Sequence, residues 1–296
     1  MICNLCGRDT KLVKGHIVPK FISRKLKSKE KSPYFRNFGK NPNIPLQDIE
    51  QHYLFCKDCD NKYSKYEKYF ADNIFNKNGS MTVNIDYIDK FITFINYKIA
   101  ISTVDEHKNT PNYEYLKIIT DYLKEKLVNN KKDRLFNSYF INLLEPSKKF
   151  KDVFNSDVSE QIIFSLNCLI SSILKNKQRC ELFYNIYFNK AIEWSIYIIQ
   201  ETIYIFCKIP NLLIITTDAA VMFGKNTKIN DISVIDFENQ ILCYNLFWKY
   251  YLLNLRKIFY NKKISDKQLH KIEMREFGKK LNADERKQKL LERYKL

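Results

Sequence analysis

The sequence predicts an α+β protein, rich in helix, with a small antiparallel sheet and a zinc module at its front. Three observations carry that expectation. Two CxxC pairs, Cys3/Cys6 and Cys56/Cys59, bracket the start of the chain. Apolar residues recur every three or four positions through much of 83–130, the period of a helix with one buried face. Between 191 and 218 the runs AIEWSIYII, TIYIFCKI and LLIITTD are rich in β-branched and aromatic residues and partly alternate, as strands do.

The bulk composition sets the limits. A chain of 296 residues fills one large domain or two modest ones and can bury a sizeable core. With 45% apolar and 15% aromatic residues it is not a disordered chain, and six glycines and seven prolines leave little room for linkers. The net charge is +17, and it sits at the two ends. Residues 1–80 carry 16 basic against 8 acidic side chains, residues 249–296 carry 15 against 6, and the middle is nearly neutral. Such a distribution is the footprint expected of a protein that meets a polyanion, with a lysine-rich solvated surface as the plain alternative.

The start of the chain has no apolar core of the kind a signal peptide needs, and the apolar runs fall short of the roughly 18–20 residues that cross a bilayer. Cys168, Cys180, Cys207 and Cys243 stand singly among apolar neighbours, the pattern of buried thiols in a reducing compartment. The expectation is a cytoplasmic protein with no membrane partner.

Taken in order, residues 1–80 are short, basic and punctuated, ending near NKNGS, and form the first expected domain. Residues 81–296 form the second, a helix-rich α+β domain. VNIDYIDKFITFINYKIAIS and YEYLKIITDYLKEKLV read as helices, and so does DVSEQIIFSLNCLISSILKN with Asp157 or Ser159 as its cap. The three strands follow. ENQILCYNLFWKYYLLNLRKIFY returns to helix, and Ser265-Asp266 caps a last basic amphipathic segment, broken near Gly278 and resumed at NADERKQKLLERY. Asp218, at the end of the third strand, reads as a turn cap more readily than as a catalytic group.

Each CxxC pair puts two thiolates on one tight turn, aimed at one point, and two pairs supply the four soft ligands of a closed tetrahedral zinc site. The pairs here are separated by 49 residues, far beyond the roughly 15–20 of a zinc ribbon, so the insert holds structure of its own. A closed site leaves no open position for substrate, so Cys3, Cys6, Cys56 and Cys59 are expected to hold structural Zn²⁺.

His16 lies in LVKGHIVPKF, apolar on both sides, where a histidine is usually a packed side chain. The order of features around it is more specific. CxxC, a strand with His-Ile-x-Pro, then LFCKDCDNKYSKYEKYF resembles the HNH endonucleases, the zinc-stabilised branch of the ββα-metal nucleases. GHIVPKF is similar to a subgroup with Ser-His-Ile-Ile-Pro-Lys-Phe at this point, and the likeness spans roughly residues 1–75. The resemblance implies a treble-clef-like module of β-hairpin and helix, a general base at His16 and a divalent-metal ligand at Asp60, which follows the last zinc cysteine. It further implies Mg²⁺ or Mn²⁺ as catalytic cofactor, a nucleic acid (DNA or RNA) as substrate, and a role as toxin or phage-defence effector.

The pattern is broken at Gly15, where the family carries Asp, His or Glu as a second metal ligand. His52, near the place of the family's central Asn, and Glu67, two turns past Asp60 on the same helix face, are the candidate replacements. Asp48 and Glu50 lie on the approach to the second pair, and Asn41 and Asn43 are candidates for the central Asn. Lys14, Lys20, Arg24, Lys25 and Arg36, interleaved with Tyr34, Phe35 and Phe38, suit phosphate contacts beside base stacking. Two function classes stand side by side: a metal-dependent endonuclease, and a non-catalytic zinc module that binds nucleic acid or protein. The helical body also suits a protein partner or a second copy of the chain.

Overall fold

The computed structural model describes residues 1–28, 35–36, 44–46, 48–75, 77, 80–129, 135–142, 192–220, 223–225, 227–229, 234–237, 240–242, 247–248, 250–251, 265, 267, 271, 274 and 285. The chain divides into two compact units, one of residues 1–20, 50–142 and 192–243, the other of 21–49, 143–191 and 244–296. The architecture is α+β, helices with small antiparallel sheets.

The first unit opens with a knuckle at Cys3–Arg8. Gly7 has φ of 72°, the left-handed region that a side chain resists, and its N–H donates to the Cys3 carbonyl at 2.9 Å. Strand β1 (Leu12–His16) then pairs antiparallel with β4 (Gln51–Cys56), bringing Leu12 opposite Cys56, Gly15 opposite His52 and His16 opposite Gln51. The register slips between Val13 and Lys14, a bulge of the kind that re-aims the side chains beyond it. Helix α2 (Lys57–Phe70) follows β4 without a loop, its N-cap Cys56 still extended and Asp58 and Asp60 in its first turn. Carboxylates there face the positive end of the helix dipole. The helix widens into a π turn at Ala71–Phe75.

Helix α1 (Lys20–Ser28) leaves the end of the β1 segment, and β2 (Phe35–Arg36) pairs with β3 (Pro45–Leu46) within the second unit. Short strand β5 (Ser80–Thr82) precedes α3 (Ile85–Val104), which is capped by the Asn84 side chain accepting from the Tyr87 N–H at 3.3 Å. A 3₁₀ turn at Asp105–His107 leads to α4 (Tyr113–Asn129). Both long helices lie where the sequence period puts them. What the period does not convey is that α3 is buried on almost every side from Phe91 to Ala100, as a helix at the centre of a core must be.

Aromatic contacts fasten the front of the unit to α3. Phe94 stacks on Phe55 of β4 at 5.3 Å and on Tyr63 of α2 at 4.5 Å, and Phe91 lies 4.0 Å from Phe70 with planes 11° apart. The main sheet packs against the same helix. Its order is β6 (Asn137–Asn142), β9 (Leu212–Thr217), β8 (Thr202–Ile209), β7 (Glu193–Ile199), all antiparallel. The β7–β8 turn is the two-residue Gln200-Glu201, both at positive φ, and Pro210-Asn211 turns β8 into β9. Asn96 of α3 donates to Thr216 of β9 at 2.8 Å, and Ser138 of β6 lies 3.1 Å from the same hydroxyl.

The three predicted strands are present, and β6 is a fourth that alternation did not reveal. Its NSYFIN is buried almost throughout, so it has no polar face to read. β10 (Gly224–Lys225) pairs with β12 (Ile241–Leu242), and β11 (Val234–Asp236) with β5. Here the expected helix from 238 is corrected: Ile241 and Leu242 are strand, because they complete a ladder with Gly224–Lys225 that local periodicity cannot foresee. Residues 247, 248, 250 and 251 are helical, with Phe247 stacked on Tyr251 at 5.6 Å. The predicted helix at 157–176 lies outside the described residues. Of the C-terminal segment, Lys267, Lys271 and Met274 are helical and exposed, at helical spacing along one face.

Candidate functional site: a four-cysteine cluster beside a His16–Asp60 pocket

The sulfurs of Cys3, Cys6, Cys56 and Cys59 all lie within 4.8 Å of one another. Each comes from a tight element: two from the knuckle, one from the last residue of β4, one from the first turn of α2. Cys6 and Cys56 sulfurs are 3.9 Å apart, close to the ~3.8 Å edge of a tetrahedron with Zn–S bonds of about 2.3 Å. The Cys56 N–H donates to the Cys3 sulfur at 3.3 Å, and Asn4 ties the knuckle to β4 through two bonds to the Leu54 carbonyl. Arg8 donates to Cys6 at 3.4 Å and to Cys56 at 3.8 Å while pairing with Asp58 at 3.0 Å. That hydrogen bond draws the Cys6 thiol down to about 6, whereas burial pushes Cys59 up. An all-thiolate set of this size fits Zn²⁺, with Arg8 offsetting part of the negative charge of four sulfurs.

One strand pair away lies a pocket lined by Val13, Gly15, His16, His52, Leu54, Phe55, Asp60 and Lys98. The hairpin register explains the first half of it. Gly15 and His52 are cross-strand partners, and His16 follows at the strand end opposite Gln51. The Gln51 amide nitrogen stands 2.6 Å from His16 Nε2; with that amide donating, the imidazole accepts at Nε2 and carries its proton on Nδ1. His52 Nε2 pairs with Glu50 at 3.0 Å. Asp60 enters from α2. Burial pushes its carboxyl up, the Lys98 charge pulls it down, Glu67 pushes it up again, and His16 acts in the same sense as Lys98.

Gly15 stands directly against Asp60. A Cβ at this position would lie 3.6 Å from Asp60 Oδ1 and 4.0 Å from the His52 carbonyl, ordinary contact distances. The absent side chain is therefore the one that would have faced the carboxylate. Among the described residues, the four cysteines are the only group of three or more His, Cys, Asp or Glu side chains placed to share an ion. Asp60 is thus a single carboxylate, enough for an ion that arrives with its own waters and a substrate phosphate, but not a protein-made cage.

Of the other sequence candidates, Glu67 reaches the site indirectly, by pairing with Lys98 at 2.8 Å. Asp48 accepts from the Ile49 N–H at 2.9 Å. Lys14, Lys20 and Arg24 are exposed and do not line the pocket; Lys25 lies on α1 and Arg36 on β2, with side chains outside the described residues. Asn41, Asn43, Tyr34 and Phe38 also lie outside them. Asp218 instead accepts across the sheet from the Ile203 N–H of β8 at 3.0 Å and from the Tyr115 hydroxyl of α4 at 2.5 Å.

Arg8, Gln51 and Lys98 were not legible as site residues. Only Lys98 left a trace: FITFINYKIAI is apolar but for Thr93, Asn96, Tyr97 and Lys98, and a lysine in such a run is buried or functional. No family model, no curated protein and no solved structure matches this chain. Among the described residues, no helix is long and apolar enough to cross a membrane.

Proposed function

We propose that the protein is an endonuclease of the HNH type, hydrolysing phosphodiester bonds of nucleic acid with His16 as general base. One observation carries the reading: the hairpin β1–β4 and the first turn of α2, joined at the four-cysteine cluster, open His16 and Asp60 onto one pocket. A knuckle, a hairpin and a helix sharing one Zn²⁺ make a treble-clef-like module, and the ββα arrangement is what the sequence resemblance implies. In this reading the imidazole of His16 takes a proton from water as the oxygen attacks phosphorus, and the leaving 3′ oxygen is protonated from solvent. A neutral imidazole is the right base at neutral pH. With the proton on Nδ1 the basic nitrogen is Nε2, so the Gln51 amide 2.6 Å away yields that place to the attacking water. Mg²⁺ or Mn²⁺ arriving on the substrate phosphate and touching Asp60 would supply part of its neutralisation. The basic ends of the chain suit the polyanion, and the thiolate set suits a reducing, cytoplasmic setting. A toxin or phage-defence role goes with the resemblance.

The test is incubation of the zinc-loaded protein with plasmid, single-stranded DNA and tRNA in Mg²⁺ or Mn²⁺. Cleavage is expected, falling about 10²–10⁴-fold in His16→Ala, the usual weight of a general base. Equal cleavage by the variant, or none by the wild type, removes the assignment. Gly15 favours the second reading, a zinc module that binds without cutting. That reading is recognised by salt-sensitive gel shifts that need no divalent ion and persist in His16→Ala.

A further inference from the structure

Lys98 projects from the most buried stretch of α3 into the pocket that holds Asp60 and His16. The residue is only 4% exposed, and a lysine this deep is found where something holds it. Three contacts do so. Its Nζ donates to Glu67 Oε1 at 2.8 Å and to the backbone carbonyl of His16 at 3.1 Å, and it lies 4.6 Å from the centre of the Phe94 ring. The ammonium is therefore fixed between the helix that supplies Asp60 and the strand that supplies His16.

A divalent ion bound to Asp60 in this pocket would meet a fixed positive charge and would gain nothing from Gly15. A phosphate oxygen in the same place would meet the opposite: a preorganised cation with little hydration left to lose. We propose that Lys98 is the resident cation of this pocket, and that its ammonium, positioned by Glu67, meets a phosphate oxygen of the substrate where the family resemblance puts a protein-held metal. The phosphate half rests on the phosphodiester reading above; the cation half stands without it.

The two halves separate in experiment. Mn²⁺ is titrated into zinc-loaded wild type, Lys98→Met and Lys98→Gln, and free Mn²⁺ is read by electron paramagnetic resonance. Removing a fixed charge from the pocket is expected to tighten Mn²⁺ binding at least tenfold, and Asp60→Asn in the same background should abolish the gain. A variant that was merely damaged would bind more weakly, and Lys98→Gln, whose amide can still donate to Glu67, carries the test should Lys98→Met unfold. Equal or weaker Mn²⁺ binding in both, or a gain that survives Asp60→Asn, overturns the proposal. For the phosphate half, a labelled 12-nucleotide single strand is bound in divalent-free buffer by His16→Ala and by His16→Ala/Lys98→Met. Binding at least tenfold weaker in the second supports the inference, and equal binding overturns it. If neither binds the strand, the phosphodiester reading fails, and the Mn²⁺ result still decides the role of Lys98.

Discussion

Gly15 and Lys98 together decide the chemistry open to this pocket. The glycine puts no side chain opposite the Asp60 carboxylate, while the lysine, from a helix far along the chain, brings in a positive charge. The space for a ligand is still there, since a Cβ at residue 15 meets only ordinary contacts. Gly15→Asp should therefore restore a two-carboxylate site and tighten Mn²⁺ binding by roughly tenfold or more, measured by the same titration. An unchanged affinity would mean that the two positions do not share an ion. The four cysteines, His16 and Asp60 could be found from the sequence because each sits in a short, spaced phrase. Gln51 and Lys98 could not, because their relation to His16 exists only through the hairpin register and through α3.

At the level of elements, local period was a good guide to α3, α4 and three strands, and a poor one wherever pairing partners are distant. Ile241–Leu242 forms strand because of Gly224–Lys225, and β6 is buried so completely that it carries no alternation. The same burial makes Lys208 a costly residue in the main sheet. It is fully buried on β8, opposite Glu193 of β7, and burial pulls its amine from 10.5 down to about 7 against the attraction of Glu193 and Cys207. The unfolded chain therefore binds this proton more readily between pH 7 and 10.5, so the contribution of Lys208 to stability rises with pH across that window. Lys208→Met should raise stability near pH 7 by about 1–4 kcal/mol, as when buried charges give way to packed apolar side chains, and should flatten the alkaline rise. Thermal unfolding at pH 6, 7.5 and 9 checks both. A variant less stable than wild type at all three would show that the ammonium is held by interactions worth more than its burial costs.

On the scale of the whole molecule, one helix, α3, joins the four-cysteine front to the main sheet. Phe55, Tyr63 and Phe94 link the cysteine cluster to α3, and α3 delivers Lys98 to the pocket. Loss of the ion should therefore disturb the pocket as well as the knuckle. The central claim is that four sulfurs around one zinc ion build the pocket, and its most direct measurement is elemental analysis of the purified chain. We expect one zinc per chain, lost in Cys59→Ser, with loss of the near-ultraviolet dichroism of the aromatic stack when a chelator removes the metal. A metal-free protein that keeps the same dichroism would contradict the account.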